Sequence, residues 1–183
     1  NDNTKKIIYK KYASAIKKGQ IRYYYKKNEG VCKARNYGLK KAKNEWITYL
    51  DSDNTVSNIF LEQFAKNILL HKNKSFYAKL ITTKTKFIQG IPFDFEKLLY
   101  ENYIDLGVFC HSRSLYKKFG GFDENMTRLV DWELITRYAR ESSPHFINKV
   151  VLFYNNEPKN DRITESKNFY NNFNYFRKKH CNY

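Results

Sequence analysis

Helical and strand-like segments alternate along this chain, and that alternation predicts an α/β fold with a mostly parallel sheet flanked by helices. Three stretches carry the prediction. Val31, Ala34, Leu39 and Ala42 recur near helical spacing with lysines between them, as an amphipathic helix requires. Trp46-Ile47-Thr48-Tyr49-Leu50 is short, β-branched and aromatic, which suits a buried strand. Asp51-Ser52-Asp53-Asn54 then follows at the carboxyl end of that strand, where open α/β sheets bind their ligands.

The other elements follow from local pattern. A helix is expected from Asn3 to Lys18, capped by Asn3 or Thr4, with an apolar stripe of Ile7, Ile8, Tyr12, Ala15 and Ile16. Gly19 ends it. Ile21-Arg22-Tyr23-Tyr24-Tyr25 reads as a strand, and Asn28-Glu29-Gly30 as a turn. A helix capped by Ser57 runs to Lys72, with Ile59, Phe60, Phe64, Ile68 and Leu69 on one face. One or two strands are expected between Phe76 and Ile88, then a break at Gly90-Ile91-Pro92 and a short helix between Phe95 and Tyr103. A helix begins near Asp131, with Trp132, Ile135, Tyr138 and Ala139 at helical spacing. Phe146 to Tyr154 reads as a strand, and an aromatic, basic helix closes the chain between Lys167 and Tyr183. That last helix packs on its own core in the simpler reading, or touches a membrane surface or partner in the other.

Composition bounds the function. The chain has 183 residues and is 42% hydrophobic, enough for one domain with its own core and too apolar for a disordered chain. Its 34 basic and 18 acidic residues leave a net charge of +16, which favours anionic partners such as nucleic acid, acidic lipid or phosphorylated substrates, or simply gives a solvated lysine surface. No apolar run is long enough to span a bilayer, and the polar first residues show no signal-peptide pattern. Three cysteines without metal-ligand spacing suit a reducing, cytoplasmic setting.

Two carboxylates at i and i+2 on an extended chain face the same side, and both stay ionised only with water or a cation between them. All-oxygen donors suit Mg2+ or Mn2+, which also grip phosphate oxygens. The same four residues are equally ordinary turn and cap sequence. An EF-hand loop is excluded, because Val56 stands where the loop needs glycine.

Further motifs narrow the choice. Ala34-Arg35-Asn36-Tyr37-Gly38 precedes the strand and Asp51-Ser52-Asp53 ends it. Downstream lie Arg113-Ser114-Leu115, then Gly120-Gly121-Phe122-Asp123-Glu124, then Asp131-Trp132-Glu133-Leu134. Together these resemble family 2 glycosyltransferases, inverting enzymes of the GT-A fold. The resemblance implies a GT-A-like domain over residues 1–183, with the remaining nucleotide-binding half at 1–54 and the acceptor-binding half at 55–183. It also implies that the domain is N-terminally incomplete. Asn1-Asp2-Asn3-Thr4 resembles the end of the family's first acidic turn, so a βαβ piece of roughly 35–40 residues is expected ahead of it.

The same resemblance implies site roles. Asp53 would hold the metal, Mn2+ or Mg2+. Asp51 would contact the ribose or a metal-bound water, and Arg35 the base or phosphates. Asp131 would be the catalytic base, with Arg162 reaching the diphosphate from a polar loop. The donor would be a nucleotide-diphosphate sugar, UDP-linked by family habit, and the acceptor a glycan or lipid-linked hydroxyl at the inner membrane face. Read from the residues alone, Asp131 is also a helix cap, Trp132 a core residue, and His111 a structural histidine. Glu133 is the weaker candidate for the catalytic role, because its side chain should point away around the helix. A non-catalytic basic module for an acidic polymer or nucleic acid remains the competing class, although no nucleic-acid motif is present. A third possibility is an inactive transferase fragment.

Overall fold

The computed structural model describes residues 3–157 and 168–181. In chain order the elements are α1 (Thr4–Lys17), α2 (Val31–Lys41), β1 (Trp46–Thr48), β2 (Thr55–Val56), α3 (Phe60–Leu70), β3 (Ser75–Thr82) and β4 (Ile88–Gln89). Then come α4 (Phe95–Tyr100), a 3-10 turn (Leu106–Val108), β5 (Phe109–Ser112), α5 (Arg113–Phe119), α6 (Val130–Ala139), β6 (His145–Tyr154) and α7 (Phe169–His180).

The sheet order is β1-β5-β3-β6-β2, with β4 alongside β3. It is a mixed sheet and not a mostly parallel one: β3 and β6 run parallel, while every other described pair is antiparallel. The cause lies in the connections. The two-residue β4 folds back on Leu80 and Ile81 and leaves the chain at the carboxyl end of β3. β5 must therefore enter from that end and run the other way, pairing Tyr77 with Phe109 and Ser75 with His111. Alternating helices and strands predict parallel pairing only where a helix carries the chain back along the whole sheet.

The sheet separates two apolar layers. On one face α3 supplies Phe60 and Phe64 against Phe76, Ala78 and Leu80 of β3 and Val151 and Leu152 of β6. On the other, α2, α4, α6 and α7 bury Leu39, Leu98, Trp132, Leu134, Ile135 and Phe176 around Tyr77 and Phe109. Successive β3 residues serve opposite layers, as strand alternation demands. Tyr77 is fully buried and its hydroxyl donates to the Ile91 carbonyl at 2.6 Å.

Local expectations fail at several places, among them the α1 cap, where Asn3 makes no side-chain cap bond. Residues 21–25 lie beside no strand of the described residues. Their aromatic rings pack on helices instead, Tyr23 against Tyr9 of α1 and Tyr24 against Tyr37 of α2. β-propensity selects a strand only when a neighbouring strand offers its hydrogen bonds. α3 starts later than expected, with Ile59 at its cap position and no side-chain cap, so Ser57 does not cap it. The Ser57 amide instead donates to Val151 at 2.8 Å, tying the turn to β6. α1 buries none of its residues, and Ile7 in its apolar stripe is 57% exposed.

Candidate active site

The site is framed by contacts between motifs far apart in the chain. Gly30 enters α2 with φ of 95°, and its amide donates to Asn28 Oδ1 at 3.1 Å, so the turn expected there closes on its own side chain. Asn36, on α2, reaches across to the Gly-Gly-Phe turn. Its Oδ1 accepts from the Phe122 amide at 2.7 Å and its Nδ2 donates to the Phe122 carbonyl at 2.9 Å. This side chain therefore serves the turn as a neighbouring strand would. A Cβ on Gly121 would lie 2.2 Å from Asn36 Oδ1, which explains a glycine there.

From α6, Arg137 donates to the Gly121 carbonyl at 2.7 Å and Tyr138 to the Gly120 carbonyl at 2.7 Å. Arg137 is held in turn by both carboxylate oxygens of Glu133, each at 2.8 Å. Glu133 is fully buried and also meets Lys179 at 2.8 Å and His180 at 3.3 Å on α7. Burial alone would raise its pKa, but hydrogen bonds from Arg137 and His180 and the nearby positive charge overcome that and hold it well below the usual carboxylate range. Glu133 is thus a pin between helices, placed by the turn of α6 that points it away from the cavity.

A cavity of about 450 Å³ opens beside this frame, a size suited to a small-molecule substrate. Arg35, Asp51 and Asp131 all line it. Arg35 donates to Asp51 Oδ1 at 2.9 Å and its guanidinium lies 5.4 Å from the centre of the Phe122 ring. The Asn36 clamp that seats Phe122 therefore also sets Arg35.

Asp53 lies elsewhere than an extended chain would put it. Residues 51–54 close as a turn, with the Asn54 amide donating to the Asp51 carbonyl at 3.2 Å. Asp51 faces the cavity, while Asp53 is exposed and outside the cavity wall. The i, i+2 rule does not hold through a turn. Asn54 ties that turn to the sheet, its Oδ1 accepting from the Asn155 amide at 3.0 Å.

Asp131 does not cap α6. Leu129 occupies the cap position in a left-handed conformation, φ of 61°, and Asp131 sits within the first turn. There the helix N-terminus favours its negative charge. The unusual Leu129 backbone is held from α7: Asn172 Oδ1 accepts from the amides of Thr127 at 2.9 Å and Arg128 at 3.2 Å. The terminal helix thus fixes the segment that presents Asp131. Its own seat is the stack of Trp132 on Phe176, ring centres 4.2 Å apart, with the Trp132 indole donating to Leu98 at 2.6 Å. Trp132 is core, out of reach of a sugar.

His111 is also core. It is fully buried, accepts from the Tyr49 hydroxyl at 2.7 Å and donates through Nδ1 to the Ser112 carbonyl at 2.9 Å. Burial lowers its pKa to about 4, so it is neutral at ordinary pH. Arg162 lies outside the described residues.

The cavity wall also holds residues that no sequence motif marked: Asn102, Asp105, Gln89 and Arg128. Asn102 Nδ2 donates to Asp131 Oδ2 at 3.5 Å, a long contact. Asp105 is pushed up to about 6 by burial and by the charge of Asp131. Both precede β5 in a loop without periodicity. Their one visible signal is a pair of polar residues just ahead of a buried strand.

Among the described residues no three acidic, histidine or cysteine side chains group to enclose a metal. Mg2+ and Mn2+ need no such cage, since one or two carboxylates plus substrate phosphates suffice. Asp51, on the cavity wall, offers one such hard oxygen donor, while Asp53 lies on the same turn but outside that wall.

Mixed sheet, flanking helices and a carboxylate-lined cavity at the end of β1 define a GT-A-like α/β domain. The glycosyl transferase family 2 profile matches residues 1–120, and the chain belongs to that family. In fold it is similar to S. aureus TarS (residues 1–349) in complex with UDP-GlcNAc. The TM-score is 0.73 at 16% identity, covering 97% of this chain and 53% of that one. Among relatives, an uncharacterised glycosyltransferase of Rickettsia typhi is 28% identical over 149 residues, covering 73% of this chain and 46% of its own. The minor teichoic acid biosynthesis protein GgaB of Bacillus subtilis is 43% identical over 68 residues, 37% of this chain and 7% of its own. The chain thus spans about half or less of the length of these proteins. Among the described residues no helix is long and apolar enough to cross a membrane.

Proposed function

We propose that this site transfers a sugar, with inversion, from a nucleotide-diphosphate sugar to a hydroxyl of a glycan or lipid-linked acceptor. The observation that carries the reading is the meeting of Arg35, Asp51 and Asp131 in one cavity. Family membership supports it, as does a UDP-sugar in the TarS complex, which favours a UDP-linked donor here. A teichoic acid protein among the relatives favours an acceptor of the cell envelope, reached from the inner membrane face.

The residues divide the work. Arg35, fixed over Phe122 and against Asp51, positions the base or the diphosphate. Asp131 accepts the proton of the acceptor hydroxyl as its oxygen bonds to C1, and the bond from C1 to the diphosphate oxygen breaks with its electron pair leaving on the phosphate. One in-line displacement inverts the anomeric centre. Asp51 would hold Mn2+ or Mg2+ at the cavity wall, which when bound offsets the charge growing on the diphosphate, and the assignment of Asp53 to the metal rests on the family resemblance. Arg162 is assigned to the diphosphate by the family resemblance alone.

The test is an assay of purified protein with a panel of UDP-sugars and Mn2+, comparing wild type with Asp131→Asn. Turnover should vanish in the variant while donor binding persists. Equal loss of both would make Asp131 a structural residue. Salt-dependent binding of RNA or DNA without any donor binding would establish the basic-module reading instead.

A further inference from the structure

We propose that Asp105 is a second acceptor-binding carboxylate, taking a hydrogen bond from the hydroxyl adjacent to the one that Asp131 deprotonates. The acceptor would then be a sugar or polyol unit with two neighbouring hydroxyls. This rests on the transfer reading above and adds the acceptor's chemical class to it.

The placement of Asp105 is the starting point. It ends the loop between α4 and the 3-10 turn, and its Oδ1 accepts from the Gly107 amide at 2.7 Å. That bond fixes the carboxylate, while Oδ2 has no hydrogen-bond partner among the described residues. Gly107 is tightly enclosed, since a Cβ there would lie 2.9 Å from Leu152 and 3.0 Å from Asp105 Oδ1. The backbone that aims Asp105 therefore has little room to shift. Asp105 and Asp131 line the same cavity, near enough for one charge to oppose the other.

Chemistry selects the ligand. Asn102 gives its donor to Asp131, and its Oδ1 is shielded from solvent without a hydrogen-bond partner among the described residues. Asn102, Asp105 and Asp131 thus offer several oxygen acceptors to a cavity that Arg35, Gln89 and Arg128 also line. The unpaired, shielded Asn102 Oδ1 calls for a donor, and on the transfer reading the acceptor's hydroxyls supply donors here without adding charge. Hydroxyls on adjacent carbons can engage two neighbouring carboxylates together, whereas a lone alcohol engages one. The long Asn102–Asp131 contact would shorten as the acceptor seats, as such bonds do in substrate complexes.

The experiment uses purified protein, a UDP-sugar and Mn2+, with a methyl glycoside bearing a vicinal diol and its mono-deoxy analogue as probe acceptors. Asp105→Asn is the variant of choice, because an asparagine Oδ1 still accepts from the Gly107 amide. We expect it to raise KM for the diol roughly tenfold or more, the worth of a hydrogen bond to a charged group. It should raise KM for the diol by a larger factor than it lowers kcat, and donor affinity, measured by calorimetry without acceptor, should stay within a few fold. Wild type should show the same rise with the deoxy acceptor, which needs no variant, and the substitution should not worsen that acceptor further. An unchanged KM for the diol overturns the proposal, and so does an equal loss with both acceptors. If wild type neither transfers nor hydrolyses the donor, the transfer reading itself fails. Hydrolysis without diol preference sinks only the assignment of Asp105.

Discussion

Gly121→Ala isolates the contact that joins the two halves of the frame. The added methyl would stand 2.2 Å from Asn36 Oδ1 and 3.1 Å from Leu39 Cδ1, so Asn36 must swing away. Two hydrogen bonds to Phe122, at 2.7 and 2.9 Å, then break, and a partly buried amide loses its acceptor. At about 1 kcal/mol net for each bond, plus the cost of an unpaired amide, the loss is about 2–4 kcal/mol. Asn36→Ala removes the same bonds without the clash and should cost about as much. The double variant should cost little more than the worse single one, because the methyl enters space that Asn36 has vacated. Urea unfolding of the four proteins measures this directly. Additive losses would mean that Gly121 and Asn36 act independently, and the clamp would be wrong. Since Phe122 seats Arg35, the single variants should also weaken UDP-sugar binding, measured by calorimetry, even where they remain folded.

Further outcomes follow from the buried charges and the site. Glu133→Gln should destabilise at neutral pH by about 3–5 kcal/mol, since it leaves the partly buried Arg137 without its carboxylate partner. Because the folded pKa is lowered, the stabilisation from Glu133 is full above the ordinary value of 4.5 and is lost as the pH falls below it. Variant and wild-type melting points should therefore converge in acid. His111 is held neutral, with its pKa lowered from 6.5 to about 4, so the unfolded chain takes up the proton first. Stability should fall by up to about 3 kcal/mol between those two pH values, and His111→Gln should flatten that part of the profile. Asn172→Ala removes the acceptor for two amides ahead of Asp131. It should lower kcat more than it changes donor affinity, measured under saturating UDP-sugar.

Much of the frame was legible as local pattern. The helical spacing of α2, the aromatic strand β1 and the glycine turn at 120–121 each announce themselves within a few residues, because burial along one segment repeats with the period of that segment. The family resemblance pointed to Arg35, Asp51 and Asp131, and these three line one cavity. Asp53 was less legible. Whether residues 51–54 run extended or close as a turn depends on Asn54 meeting Asn155, a partner 101 residues away.

What the sequence determined alone was therefore most of the helices and the central strands, the family motifs and the chemistry available at the end of β1. Tertiary structure decided the direction of β5, the unpaired state of residues 21–25, the burial of Glu133 and the arrival of Asn102 and Asp105 beside Asp131. The physical reason is the same in each case. Periodicity reports which face of one segment is buried, but strand direction, a salt-bridge network or a cavity wall depends on which distant segment lies opposite. That partner is chosen only when loops close and layers pack.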